Sequence, residues 1–175
     1  MVTGHADDRV RRFGRELVEV HDELRDRLDD LRAAVRGDGP ATPAGMTPRA
    51  HCLTFCRALR AHHEGEDAGM FRVLLDVDPG LADTVDKLVQ DHDFIASLVV
   101  RLEALAAEWD ADQVDDVAAF ERELDGLGAI LTSHLAWEER ALVDLLDGLD
   151  LAAGSIEEQA VAQALDGVLD QPPAT

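Results

Sequence analysis

The sequence contains no tyrosine, a single lysine (Lys87) and two cysteines, and its six prolines all lie outside the stretch from Gly80 to Gln171. Each shortage excludes something. Without tyrosine there is no phenolate ligand and no tyrosyl radical. With 16 basic residues against 37 acidic ones, the formal net charge is -21, and such a surface repels nucleic acid and anionic lipid, whose capture depends on clustered positive charge. Neither is expected as a partner. The acidity itself reads as a solvated surface. No stretch approaches the roughly 20 apolar residues that cross a bilayer. The N-terminal MVTGHADDRVRR lacks the apolar core of a secretory signal, so the chain reads as cytoplasmic. Cys52 and Cys56 stand four apart on an expected helix, where a disulfide would strain the backbone. They read as small core residues in a reducing compartment.

What is present is helical periodicity. At 175 residues the chain is long enough to bury a sizeable core without disulfides. Pro40, Pro43 and Pro48 mark one loop, Asp78-Pro79-Gly80 marks a turn, and Pro172 and Pro173 lie at the end. Between those marks no alternating, strand-like run occurs. The first helix, about Ala6 to Val35, carries the seam Val10, Phe13, Leu17, His21, Leu24, Leu28, Leu31, Val35, with a histidine where a leucine is expected. Thr47-Pro48 restarts the chain as N-cap and first helical residue. The second seam is Cys52, Phe55, Leu59, His62, Glu66, Met70, Val73. The third runs from Leu81 through Leu88, His92 and Ile95 to Ala106, ending near Trp109. The fourth is Val117, Phe120, Leu124, Leu127, Leu131, His134, Glu138, Leu142, Leu145. Gly126 and Gly128 weaken it slightly, a cost consistent with close approach of a neighbouring helix. Ser155-Ile156-Glu157-Glu158 offers a capping box for a short last helix reaching about Leu169. The expectation is therefore an all-α antiparallel up-down four-helix bundle over residues 1–150, followed by a C-terminal helix and tail over 151–175.

The polar residues in these apolar seams carry the chemistry. His62 and Glu66 are one turn apart on one helix face, and His134 and Glu138 repeat that spacing. With antiparallel neighbours, His21 and His62 lie about equally far from the first loop, roughly 23 Å at 1.5 Å per residue. Glu66 and His92 are equidistant from the second turn, and His92 and His134 from the third link. All six fall at one level. Unpaired imidazoles and carboxylates in an apolar core are costly, and metal ions remove that cost by taking up their lone pairs. Imidazole suits Fe, Zn and Cu, and carboxylate can bridge two ions.

The set His21, His62-x-x-x-Glu66, His92, His134-x-x-x-Glu138 resembles the hemerythrin-like, or HHE cation-binding, family over roughly residues 5 to 148. The resemblance implies a four-helix bundle around a non-haem di-iron centre, two Fe ions joined by an oxo or hydroxo bridge. It assigns His21 and His62 to one iron, His92 and His134 to the other, and Glu66 and Glu138 as bridges. The chain departs from the oxygen-carrying members in having Ala96 one turn beyond His92, where they have histidine, and Glu138 at four residues past His134, where they have aspartate at five. These departures imply an iron at His92 and His134 that is short of a ligand and more open.

Residues beside the seam are read two ways. His63 and Asp67 sit about 100° round the helix and serve as boundary polar groups, or His63 fills a vacant position on the first iron. Asp67 or Glu139 could accept the second N–H of a ligand histidine. His51 is taken as structural or exposed, His5 as part of a terminus, and Trp137 as bundle packing. HHEGED is not H-E-x-x-H, which argues against a zinc hydrolase. The Glu-x-x-His order of ferritin-like di-iron enzymes is absent. Three functions stay open: a module binding or sensing O2, NO or peroxide; a redox enzyme with catalase-like peroxide turnover; and a metal-free structural bundle. A reductase partner and a homodimer are both compatible with the sequence.

Overall fold

The computed structural model describes residues 5–37, 47–108 and 114–166, with side chains described at 13–37, 47–108 and 117–165. Six α-helices account for most of them: α1 (His5–Arg36), α2 (Pro48–Gly65), α3 (Phe71–Val77), α4 (Ala82–Ala107), α5 (Val114–Asp147) and α6 (Ile156–Asp166). Among the described residues there is no strand. The ends follow from local chemistry. Thr47 Oγ1 accepts the N–H of Ala50 at 3.2 Å ahead of Pro48, and Asp78 Oδ1 accepts the N–H of Gly80 at 2.9 Å, turning the chain into a short 3₁₀ segment, Pro79–Leu81. At α6 the Ser155 hydroxyl accepts the N–H of Glu158 at 3.1 Å, while the Glu158 carboxylate reaches back to the N–H of Gly154. The cap thus closes one residue earlier than the capping-box pattern expects.

The second seam, expected as one uninterrupted α-helix, is broken in register. Between α2 and α3 lies a π turn, Glu66–Met70, in which the Phe71 N–H bonds back to the Glu66 carbonyl, five residues earlier. Gly126 also departs from expectation. It is exposed, and a Cβ there would meet nothing within 4 Å, whereas one at Gly128 would run into the Arg32 and Leu28 side chains of α1. The expected end of the last helix near Leu169, the third-link residue Trp109, the prolines at 40, 43, 172 and 173, and the side chains of His5 and Val10 lie outside the described residues.

Helices pack in the pairs α1 with α2, α2 with α4, α4 with α5, and α5 with α1, which closes a ring around a common interior. That interior has two apolar clusters. One gathers Leu24, Leu28, Phe55, Leu59, Ile95, Leu102, Phe120 and Leu131; the other gathers Phe13, Leu17, Met70, Leu74, Leu88, Leu142 and, from α6, Val161 and Leu165. Each helix of the ring passes from one cluster to the other, α2 by way of the π turn and α3 that continue it. Where it passes, its buried side chains turn polar: His21 on α1, His62 and His63 on α2, Glu66 at the π turn, His92 on α4, and His134 and Glu138 on α5. Cys52 and Cys56 are free and buried in the first cluster, Sγ to Sγ 3.8 Å, with the Cys56 thiol pushed up by its contact with Cys52 and by burial.

Candidate metal centre

Seven side chains form the polar layer, none more than 6% exposed. They divide into two groups whose ligand atoms lie within 4.8 Å of one another: His21, His62, Glu66 and Glu138, and His63, His92 and His134. The glutamates join the groups. Glu66 Oε1 lies 3.2 Å from His62 Nε2 while its Oε2 lies 3.6 Å from His92 Nε2. Glu138 Oε2 lies 3.6 Å from His21 Nε2 and 3.5 Å from His134 Nε2. Each carboxylate therefore touches one histidine of either group, the arrangement that a bridging ligand requires.

His63 is brought to a place the sequence did not assign it. It belongs with His92 and His134, not with the pair His21 and His62. Its ring stacks on His92 with centroids 4.0 Å apart and 5° between planes, and meets His134 edge-on at 5.3 Å. His92 and His134 meet Nε2 to Nε2 at 3.1 Å. Ala96, by contrast, is exposed while its neighbour Ile95 is fully buried. The position one turn beyond His92 faces outward, so a side chain there would bring no imidazole to this group. The imidazole comes from α2 instead.

Behind the inner atoms sits an outer set of acceptors. His21 donates from Nδ1 to Glu139 Oε1 at 2.9 Å, and Arg25 donates to the same oxygen at 2.7 Å. His92 donates from Nδ1 to Asp67 Oδ1 at 2.8 Å, and His134 Nδ1 faces Asp91 Oδ2 at 3.5 Å. A carboxylate on Nδ1 fixes the tautomer and leaves the Nε2 lone pair pointing inward. Asp67 and Glu139 were candidates for this role from sequence; Asp91 was missed. Its only signal is its place beside His92, and an acid next to a seam residue is too common to single out. His51, half-buried on α2, stands apart from the layer, and Trp137 packs on the second apolar cluster.

Burial sets the charge state of these groups in the absence of metal. Desolvation holds His62 and His63 well below the ordinary imidazole range, reinforced by neighbouring histidines, and lowers His134 to about 4. His21 is lowered by desolvation against the opposing hydrogen bond it donates to Glu139. Desolvation raises Glu66 well above the carboxylate range, with the charge of Glu138 adding to it, and raises Glu138 to about 8. Desolvation would also raise Glu139, but hydrogen bonds from His21 and Arg25 carry it down. Neutral imidazoles with inward lone pairs are what a metal needs. The fit has a second sign. His21 Nε2, both ring nitrogens of His62, His63 Nε2 and all four oxygens of Glu66 and Glu138 are buried without a hydrogen-bond partner. Buried polar atoms left unpaired are costly, and cations among them would satisfy the lone pairs that face inward.

An all-helical chain with a buried histidine and glutamate cluster able to hold metal defines the class. A family model described as the hemerythrin HHE cation binding domain matches residues 13–146, and the chain belongs to that family. No curated protein and no solved structure gives a significant match to it. The matched residues include the whole polar layer and stop before α6. Among the described residues no helix is long and apolar enough to cross a membrane.

Proposed function

We propose that the chain is a non-haem di-iron protein that binds or senses O2 or a related small ligand, NO or peroxide. The observation that carries this reading is the placement of Glu66 and Glu138, each within 3.6 Å of one histidine from both groups. His21 and His62 would hold one ion, His63, His92 and His134 the other, and the two glutamates would span them. When bound, such a pair supplies a redox-active site for a small ligand, one electron available from each metal. The scaffold is an up-down antiparallel four-helix bundle, supported by the alternate order in which α1, α2, α4 and α5 pass between the two apolar clusters.

This chain's own residues do three things. Leu17, Leu24, Leu88, Ile95 and Leu131, all at most 1% exposed, exclude water from either side of the layer. Glu139, Asp67 and Asp91 orient His21, His92 and His134 from behind. Glu66 and Glu138, protonated while the site is metal-free, release protons as metal enters and so make loading pH-dependent. Peroxide turnover is the weaker reading, since its basis was an open position at Ala96 and His63 supplies an imidazole to that group. Two free buried thiols favour a cytoplasmic setting.

The test is metal content together with the absorption spectrum of aerobically purified protein, before and after dithionite reduction and return to air. About two irons per chain are expected, with near-ultraviolet bands that vanish on reduction and come back. Absence of iron, with no uptake after anaerobic reconstitution with Fe(II), would remove the proposal and leave a metal-free bundle. Steady O2 evolution from added peroxide would restore the enzymatic reading.

A further inference from the structure

The residues matched to the family stop at 146, yet α6 packs directly on α1, α2 and the π turn. Val161, Ala164 and Leu165 are buried there. Two glycines make the approach possible. A Cβ at Gly65 would lie 3.0 Å from the Cα of Ala164, and one at Gly69 would lie 2.9 Å from the carbonyl oxygen of Ala160. Both obstacles are backbone and cannot swing aside. Gly65 immediately precedes the π turn, and Gly69 lies inside it.

The π turn is also where the two consecutive acids diverge around one ring. Glu66 Oε2 lies 3.6 Å from His92 Nε2, and Asp67 Oδ1 lies 2.8 Å from His92 Nδ1. Extra residues in a turn narrow the angle between consecutive side chains, which lets both reach the same imidazole. A π turn is rare in helices and frequently found at functional sites, so a contact that favours it over a regular α turn matters.

We propose that α6 is a positioning element of the metal centre: seated on Gly65 and Gly69, it holds the Glu66–Met70 turn in the form that presents Glu66 and Asp67 to opposite nitrogens of His92. The proposal rests on the two-metal reading above. It makes Gly65, Gly69 and Ala164 part of the site although none of them offers a ligand atom.

The experiment compares the full chain with three variants. Gly69→Ala places a methyl against the Ala160 carbonyl. Gln163→Pro breaks α6 at an exposed position without altering any family-matched residue. Gly126→Ala, with open space around its Cβ, is the control. Two readouts need no metal: hydrogen exchange at the Phe71 amide, which bonds to the Glu66 carbonyl, and the nitrogen-15 NMR signal of the His92 Nδ1–H bonded to Asp67. The third is anaerobic Co(II) titration. In Gly69→Ala and Gln163→Pro, Phe71 should exchange about tenfold faster or more. The His92 signal should leave its hydrogen-bonded position, and Co(II) should bind about tenfold more weakly at one of two sites, within the usual cost of disturbing an outer partner. Gly126→Ala should match the parent chain. A Gln163→Pro chain with freely exchanging α6 amides but parental Phe71 protection and parental Co(II) binding overturns the proposal alone. A parent chain that takes up no Co(II) overturns the two-metal reading and the proposal with it.

Discussion

Three of the inner histidines, His21, His92 and His134, depend on the carboxylate that stands behind the far nitrogen. Asp67 is 36% exposed and meets only the far nitrogen of His92, yet it fixes which nitrogen of that ring carries the proton. Asp67→Ala is therefore expected to weaken metal binding about 10- to 100-fold with little change in helix content, read by Co(II) or Fe(II) titration beside circular dichroism. Unchanged affinity would mean that packing against His63 and Phe71 alone orients the ring. The seam residues were legible at this scale because a histidine or glutamate interrupts an otherwise apolar row. His63 was not, since a residue about 100° off a seam faces whichever neighbour the bundle puts there, and α4 and α5 decided it.

The elements show where periodicity stops being informative. A repeat of three and four residues places a helix over 48–77, but it does not record that one turn holds an extra residue, because Glu66 and Met70 keep the seam spacing and the deviation lives in backbone hydrogen bonds. Glycine is the converse case. Gly65 and Gly69 are pressed against another helix, Gly126 faces open space, and all three look alike in sequence. Gly126→Ala should raise stability by about 0.5–1 kcal/mol, since alanine restricts the unfolded chain and meets nothing in the folded one. A fall in the melting temperature would reveal a contact at that face.

At the scale of the molecule, two apolar clusters enclose a layer whose ionisation the core resists. Glu138 is raised from 4.5 to about 8, so its contribution to metal-free stability is full below about 4.5 and is lost as pH rises through about 8. His134 is lowered from 6.5 to about 4, so its contribution is present above 6.5 and is lost as pH falls toward about 4. The two trends oppose each other between those ranges; above 6.5 only the carboxyl trend remains. Chelator-treated protein should thus melt at lower temperature at pH 8.5 than at pH 6.5, Glu138→Gln should flatten that slope, and the metal-loaded chain should lack it. A metal-free chain that grows more stable over this range would show that the glutamates are already ionised in the apolar interior.

The sequence by itself determined that the chain is helical, where the helices break, and that six polar residues interrupt their seams, because periodicity, prolines and residue type are local properties. Order and spacing also pointed to the family. Only the tertiary structure decided that His63 joins His92 and His134, that Ala96 looks outward, that Asp91 stands behind His134, and that α6 presses on a π turn. Those facts depend on the rotation of each helix about its own axis and on which backbone another can approach, and both are set by packing between residues distant in the chain.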